Sequence, residues 1–249
     1  MNKVLFSLLV CVMLLPVAYA RAADTKCETL TKDEAAALVK LLNPNLRVLD
    51  VESSPVQGIW EVTITSGGQK GLFYIDCSKR YIILGDLIDT KARSNLTRER
   101  MAEINKVDVA SIPLDDAIVI GDKSAPHMLI VFDDPDCPYC AQLHQEIKQV
   151  VEKRKDIVFF IKMFPLAMHK GAYDKAKAIV CGKSLKLLDD AFEKKDIPAA
   201  KCATSAVDDN IKLGGKLGIQ GTPAIIFPDG RVLSGSMPAD ALIQEVDKK

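Results

Sequence analysis

Two cysteines separated by two residues, Cys137-Pro138-Tyr139-Cys140, are the strongest chemical signal in this sequence. They follow an apolar segment typical of a strand, His127–Phe132, and precede a helical pattern over Cys140–Arg154. A cysteine at a helix N-terminus meets unpaired N–H groups and the positive end of the helix dipole, and both favour a thiolate. We therefore predict that the pKa of Cys137 lies at roughly 3.5–7.5, below the ~8.5 of a free thiol.

This spacing indicates thiol–disulfide exchange, with Cys137 as the nucleophile and Cys140 as the resolving thiol that expels a mixed-disulfide partner. Half of a zinc site is one alternative, but it needs further ligands at suitable spacing, which His127, His144 and His169 do not provide. A purely structural disulfide is another, although so short a loop contributes little entropic stabilisation. Dithiol chemistry requires neither a metal nor an organic cofactor, and we predict none.

A second feature is the segment Gly221-Thr222-Pro223-Ala224, which opens an apolar strand over Ala224–Phe227. A proline that enters a strand after a small polar residue fits a cis X-Pro bond. The alternative is an ordinary proline at the start of a strand. The separation along the chain does not by itself show whether Pro223 contacts Cys137.

The first twenty residues have the three parts of a secretory signal peptide. A single cation, Lys3, precedes the apolar stretch Val4–Val17, and the segment ends Ala-Tyr-Ala at Ala20. The apolar stretch is shorter than the ~20 residues of a membrane span, and a retained anchor is the alternative. Cleavage near Ala20 would remove Cys11, and the six remaining cysteines could form three disulfides in an oxidising compartment.

Length and composition narrow the class of protein. A chain of 249 residues suits one to two domains, and 48% hydrophobic residues exclude wholesale disorder. Lys and Arg together number 33, as do Asp and Glu. Because a nucleic-acid binder normally carries a basic excess, we predict no nucleic-acid partner.

Residues 21–91 form one compositional unit. The pattern predicts a helix over Lys32–Leu42, a hairpin of strands Ile59–Thr65 and Gly71–Ile75, and a further strand over Arg80–Leu84. One helix and a few antiparallel strands make a thin core, and domains this small often need a partner or a covalent link. We therefore predict an N-terminal dimerisation domain.

A polar segment and then a β-α alternation follow. Thr90–Val107 is rich in ionisable residues, which favours a linker helix within 92–110 that bridges two domains through solvent. A surface helix of either neighbour is the alternative. The alternation of strand and helix patterns over residues 111–249 predicts a sheet covered by helices, so we expect the chain as a whole to be α+β. Its further predicted elements are Ile157–Phe164, Tyr173–Cys181, Ser184–Glu193, Asp208–Leu217, Arg231–Ser234 and Ala239–Val246.

Three stretches carry a family resemblance: Val131–Cys140, Leu143-His144 and Gly218–Ala224. They resemble the DsbC/DsbG family of periplasmic disulfide isomerases, and the likeness extends over nearly the whole chain beyond the signal peptide. It implies a thioredoxin-like catalytic domain with a helical insertion. It also implies a V-shaped homodimer, held by the N-terminal domains, whose cleft binds misfolded disulfide-containing exported proteins.

The resemblance also implies roles for individual residues. Cys137 matches the family's nucleophile, Cys140 its resolving thiol, and Thr222-Pro223 its cis-proline substrate platform. Isomerisation needs the pair kept reduced, which implies a membrane electron donor of the DsbD type. The Pro-Tyr dipeptide between the cysteines departs from the Gly-Tyr more usual in the isomerase branch and resembles the DsbG branch and glutaredoxins.

Four cysteines remain outside this pair. The resemblance implies a structural disulfide between Cys181 and Cys202, and a loop of that length would contribute roughly 3 kcal/mol in the loop-entropy model. Four cysteines allow three pairings, and pairing within each domain joins Cys181 to Cys202 and Cys27 to Cys77. Free thiols at Cys27 and Cys77 are the alternative.

The predicted function is that of a periplasmic thiol:disulfide isomerase or reductase that attacks non-native disulfides in exported proteins. Two alternatives remain open, a DsbG-like reductase of sulfenylated cysteines and a periplasmic holdase chaperone. A DsbA-like oxidant is disfavoured, because those proteins usually lack an extension such as Ala23–Val107.

Overall fold

The computed structural model describes residues 27–248, which form a four-stranded sheet, a five-stranded sheet and a two-stranded ribbon with flanking helices. The α+β prediction is therefore confirmed. The predicted signal peptide and Cys11 lie outside the described residues. Every helix between residues 27 and 248 is too short or too polar to cross a bilayer.

The N-terminal unit begins with helix α1, Lys32–Val39. Thr31 caps its first turn reciprocally with Glu34, a capping box that satisfies two otherwise unpaired N–H groups. The helix ends before the predicted Leu42, because the chain turns there toward Asn43, whose carbonyl accepts from the N–H of Leu46. α1 covers one face of a sheet and buries Ala35 and Val39 against it.

That sheet has four antiparallel strands in the order β1-β2-β3-β4. The strands are β1 Arg47–Ser53, β2 Ile59–Ser66, β3 Gln69–Asp76 and β4 Ile82–Ile83. The predicted hairpin is present as β2 and β3. Strand β1 was not predicted, and the predicted strand Arg80–Leu84 is reduced to β4. Asp76 accepts from the N–H groups of Arg80 and Tyr81, which keeps the chain in a turn up to that point.

A short ribbon of β5 Ile88–Asp89 and β6 Ser94–Asn95 leads into helix α2, Leu96–Ile104. This helix occupies only the middle of the predicted 92–110. Asn95 caps its first turn by accepting from the N–H of Arg98, and Asn105 ends it by donating its amide to the Met101 carbonyl. A 3-10 turn, Val109–Ser111, follows.

The polar sequence of α2 predicted a helix that bridges the two domains through solvent. In the structure α2 instead packs against the N-terminal sheet and against the core of the C-terminal domain. On the N-terminal side the Thr97 hydroxyl lies 2.5 Å from the Tyr74 hydroxyl in a buried contact. On the C-terminal side Ala102 joins the core of the second sheet, and the N–H of Val107 donates to the Gly230 carbonyl at 2.9 Å. Gly230 has a φ of +88°, and any side chain there would collide with the Val107 carbonyl.

The second sheet has five strands in the order β11-β10-β8-β9-β7. They are β7 Ile118–Ile120, β8 His127–Asp133, β9 Ile157–Met163, β10 Ala224–Ile226 and β11 Val232–Ser234. Strands β8 and β9 are parallel and the other pairs antiparallel. Successive residues of β8 enter opposite layers of the core, Val131 on one face and Phe132 on the other. Strand β7 was not predicted.

Five helices cover this sheet: α3 Pro138–Lys153, α4 Ala172–Gly182, α5 Leu185–Phe192, α6 Ala206–Lys216 and α7 Ala239–Asp247. Within residues 27–248, two disulfides join segments separated in sequence. Cys27 pairs with Cys77 across the N-terminal unit, with Cα atoms 5.0 Å apart. Cys181, in α4, pairs with Cys202, and their Cα atoms are 5.7 Å apart.

Candidate active site

The Cys-x-x-Cys segment lies where β8 passes into α3. The helix begins at Pro138, two residues earlier than predicted, so Cys137 is its N-cap residue. Proline suits the first helical position, because its ring fixes φ and the N–H it lacks would have no intrahelical partner. Cys140 lies in the first turn, and its N–H donates to the Cys137 carbonyl at 3.1 Å. Both cysteines are unpaired thiols in this structure.

The fold brings Thr222-Pro223 to this point from the far end of the chain. Strand β10 pairs antiparallel with β8, with Ala224 opposite Phe132. The residues just before β10 therefore lie level with those just after β8. The Thr222–Pro223 bond is cis, and the thiol of Cys137 donates to the Thr222 carbonyl at 3.4 Å.

The surroundings lower the pKa of Cys137 to about 5, chiefly because the thiol of Cys140 can donate to a Cys137 thiolate. The Thr222 side chain and the N–H groups of Cys140 and Tyr139 lower it further, while partial burial opposes them. The Thr222 hydroxyl is buried and has no hydrogen-bond partner among residues 27–248. A thiolate at Cys137 would supply an acceptor for it, so the site is arranged for the charged nucleophile.

The surroundings of Cys140 favour the neutral thiol rather than the thiolate. Its side chain is fully buried, and burial raises the pKa of this thiol far above its usual range. The N–H of Asp134 donates to the sulfur at 3.5 Å. A thiol in this position cannot ionise through contact with water, so its reactivity depends on a nearby proton acceptor.

The carboxyl of Asp133 is such an acceptor. Asp133 ends β8, is 2% exposed and lies beside the Cys140 thiol. Burial raises the pKa of Asp133 to about 7, although the contact with Cys140 opposes the rise. A carboxyl that titrates near neutral pH beside a buried thiol can take up the thiol proton and return it.

Asp134, also fully buried, connects the active-site loop to the segment after β9. One of its carboxylate oxygens accepts from the N–H of Asp136 at 2.8 Å. The other accepts from the N–H of Leu166 at 2.7 Å and from Nδ1 of His169 at 2.8 Å. Its carbonyl accepts from the N–H of Cys137 at 3.1 Å. The loop before the nucleophile is therefore held by contacts from both sides.

A groove of about 630 Å³ opens beside Cys137. Pro138 and Ala141 of α3 form one side, and Phe192 and Ile197 form the other, at and after the end of α5. Its remaining lining residues are Pro135, Asp136, Lys175, Ala191, Lys194, Lys195 and Asp196. Lys175 forms an ion pair with Asp136 at 2.5 Å, so these two charged side chains of the groove neutralise each other.

His144, which belongs to the motif that suggested the family, lies away from the reacting sulfurs. It is 1% exposed, its Nε2 lies 2.6 Å from Asp189, and its ring packs 4.9 Å from that of Phe192. Burial lowers the pKa of His144 despite this carboxylate. The residue therefore anchors α5 to α3.

The sequence predicts Cys137, Cys140 and Thr222-Pro223 as site residues, and the structure brings them together. The carboxyls of Asp133 and Asp134 and the side chain of His169 were not predicted. Two consecutive aspartates at the end of an apolar strand were a usable signal, because carboxylates are costly to bury there. Nothing in the local sequence pointed to His169.

A thiolate at a helix N-terminus, with a second, buried thiol beneath it, is suited to thiol–disulfide exchange. The chain is a thiol:disulfide oxidoreductase with a thioredoxin-like domain. The thioredoxin-like domain family matches residues 114–249, and the N-terminal domain family of disulfide bond isomerases matches residues 28–98. The chain belongs to the DsbC family of thiol:disulfide interchange proteins.

Individual proteins are similar to this chain. The probable thiol:disulfide interchange protein DsbC of Bordetella pertussis is 32% identical over 74% of this chain and 63% of its own length. DsbC of Escherichia coli is 27% identical over 87% of this chain and 88% of its own. A solved disulfide interchange protein from Neisseria gonorrhoeae is 31% identical, covering 55% of this chain and 100% of that chain with a TM-score of 0.47. The match thus spans less than two thirds of the Bordetella pertussis protein.

Proposed function

We propose that this protein is a periplasmic thiol:disulfide isomerase and reductase that acts on non-native disulfides in exported proteins. The observation that carries the proposal is the asymmetry of the two thiols. The pKa of Cys137 is lowered to about 5, whereas burial raises that of Cys140. One sulfur is therefore a nucleophile at neutral pH, and the other is held in reserve as a thiol.

The reaction follows from this asymmetry. The Cys137 thiolate attacks one sulfur of a substrate disulfide, a mixed disulfide forms, and the second substrate sulfur leaves as a thiolate that takes a proton from water. In isomerisation, another substrate thiolate attacks the mixed disulfide and restores the Cys137 thiolate. In reduction, Cys140 attacks Cys137 while its proton passes to Asp133, and the substrate sulfur leaves as a thiolate that takes a proton from water.

Thr222 and Pro223 are proposed as the platform for the substrate chain. Thr222 presents its carbonyl to Cys137, so the backbone here can accept a hydrogen bond from an extended segment beside the reacting sulfur. Main-chain pairing gives affinity without strong sequence preference, which suits an enzyme that meets many misfolded chains. Tyr139, 63% exposed next to the nucleophile, adds an apolar contact.

A homodimer formed through the N-terminal unit, residues 21–91, is proposed as the working assembly. The sheet ends in the short edge strand β4, and an edge strand presents unpaired backbone groups to a partner. Apolar side chains are exposed around it: Tyr81, Ile83, Leu84 and Ile88. Two linkers, each within 92–110, would then carry two catalytic domains, 111–249, on either side of a cleft for misfolded chains.

Further roles complete the proposal. The disulfides Cys27–Cys77 and Cys181–Cys202 are proposed as structural, because both are formed while Cys137 and Cys140 are free thiols. The Cys137–Cys140 pair must be reduced for isomerisation, and a membrane electron donor of the DsbD type would supply the electrons. The periplasm is the proposed location, since export through the predicted signal peptide would bring the chain to disulfide-containing substrates.

The test is refolding of scrambled ribonuclease by the full-length protein and its Cys137→Ser and Cys140→Ser variants. We expect Cys137→Ser to abolish recovery of ribonuclease activity and Cys140→Ser to retain part of it, because substrate thiols can resolve the mixed disulfide. Full recovery with Cys137→Ser would contradict the proposal. Suppression of aggregation by that variant, with no recovery in the wild type, would indicate a holdase, and turnover of sulfenylated proteins alone would indicate the DsbG-like reductase.

A further inference from the structure

We propose that His169 is a positioning residue for the nucleophile: through Asp134 it fixes the loop before Cys137 and neutralises the carboxylate buried beneath that loop. The inference rests on the proposed role of Cys137 as the attacking thiolate. Neither the family motif nor the Cys-x-x-Cys segment includes His169, which lies between β9 and α4.

The geometry places Asp134 at the centre of the connection. Its carboxylate accepts three hydrogen bonds, one from within the active-site loop, at Asp136, and two from the segment of Leu166 and His169. Asp134 is fully buried, while the side chain of His169 is 24% exposed. His169 is thus the one side chain among residues 27–248 that forms an ion pair with Asp134, and it lies between that carboxylate and solvent.

The charges around His169 favour its imidazolium form. The hydrogen bond to Asp134 is the main cause of its raised pKa, and the negative charges of Asp134, Cys137 and Asp136 add to it, against a small effect of burial. On the neighbouring helix α4, Lys175 pairs with Asp136 and so removes part of that negative charge. With a protonated His169, the ion pair with Asp134 carries no net charge near the nucleophile.

The consequence for Cys137 is electrostatic. An unpaired carboxylate at Asp134 would repel a thiolate at Cys137, one turn of chain away, and would disfavour its ionisation. A protonated His169 cancels this repulsion and also holds the oxygen that accepts from Leu166. By reciprocity, a thiolate at Cys137 should favour the protonated form of His169.

The first experiment measures the ultraviolet absorbance of the thiolate against pH in reduced wild type and in His169→Asn. Asparagine can place an amide N–H where Nδ1 lies, so it keeps the hydrogen bond and removes the charge. We expect the pKa of Cys137 to rise by roughly half a unit, less than the ~1–3 units of an adjacent opposite charge. His127→Asn is the matched control, because His127 lies at the opposite end of β8, beside Asp156.

The second experiment follows the His169 ring by NMR in the reduced protein and in the oxidised protein, where no thiolate exists. The pKa of His169 should be lower after oxidation. A purely structural role for His169 would not produce this dependence on redox state. His169→Gln provides a second variant if His169→Asn does not fold, with folding checked by circular dichroism.

The outcomes separate this inference from the proposed function. An unchanged Cys137 titration in folded His169 variants, or a His169 titration identical in both redox states, would overturn it. In an Asp134→Asn background, His169→Asn should have little further effect, and a full-sized effect there would show that His169 does not act through Asp134. The proposed function fails instead if the wild type shows no thiolate titration, or if its titration persists in Cys137→Ser.

Discussion

The carboxyl of Asp133, at the end of β8, lies beside the thiol of Cys140, in the first turn of α3, and both are withdrawn from solvent. Each is an unfavourable group to bury alone, and together they form a proton donor and acceptor pair. The pair lies directly beneath the sulfur that would form a mixed disulfide. The reducing branch of the reaction is therefore the branch that depends most on this contact.

Replacing Asp133 by asparagine should slow resolution of the mixed disulfide by Cys140. An amide cannot take up the thiol proton, so we expect a rate loss of roughly 10²-fold, at the lower end of general base effects. The lifetime of a mixed disulfide between Cys137 and a chromogenic thiol measures the step, and the exposed Asp240→Asn serves as control. Unchanged lifetimes would show that another group accepts the proton.

The same substitution should stabilise the fold in a pH-dependent way. Because the folded-state pKa of Asp133 is raised from 3.8 to about 7, its ionisation destabilises the folded state. This penalty is absent below pH 3.8, grows as the pH rises to about 7 and is complete above that pH. The advantage of Asp133→Asn in free energy of unfolding should thus increase from pH ~4 to pH ~7, to at most ~4 kcal/mol. Urea titrations of the reduced proteins across this range would contradict the account if the difference were constant.

Thr222→Val should raise the pKa of Cys137 without unfolding the protein. The hydroxyl of Thr222 lowers that pKa, and valine has the same shape without the donor. We expect a rise of roughly half a unit to one unit in the thiolate titration. Thr90→Val, at an exposed position of the N-terminal unit, should titrate like wild type. An identical titration of Thr222→Val would leave Thr222 with a backbone role only.

A charge on the edge strand of the N-terminal sheet should separate the proposed dimer. Ile83→Lys places an ammonium group on β4, where Ile83 is 42% exposed, and burying that group in an interface would be costly. Light scattering should give a dimer for wild type and a monomer for Ile83→Lys. Ile211→Lys, on α6 at 37% exposure, should remain a dimer. A monomeric wild type at micromolar concentration would defeat the prediction.

The catalytic domain should fold alone, but its stability should depend on where the fragment begins. A fragment from Asn95 keeps α2, with Ala102 in the core and Val107 bound to Gly230, whereas one from Ser111 loses both contacts. We expect the longer fragment to be more stable by about 1–3 kcal/mol in urea titrations. Both should reduce small disulfides yet recover little scrambled ribonuclease, since neither has the proposed cleft. Equal stabilities would mean that α2 does not pack on the isolated domain.

Local patterns were enough to predict several elements. The hairpin of β2 and β3 follows from alternating residues around Gly67-Gly68, where both glycines have positive φ. The periodicity over α3 and the apolar run of β9 predicted the two elements that flank the Cys-x-x-Cys segment. Strands β1 and β7 were missed because β1 has no clean alternation and β7 is only three residues long.

The sequence by itself determined the chemistry, because a Cys-x-x-Cys pair ahead of a helix specifies a dithiol wherever the domain places it. Only the tertiary structure decided which groups surround that dithiol. Thr222 reaches Cys137 through the antiparallel pairing of β10 with β8, and His169 reaches Asp134 because the chain turns back after β9. Such contacts join residues far apart in sequence. Burial is not visible in a local sequence pattern either, and it is burial that raises the pKa of Asp133. For the same reason the packing of α2, through Ala102, was decided by the tertiary structure.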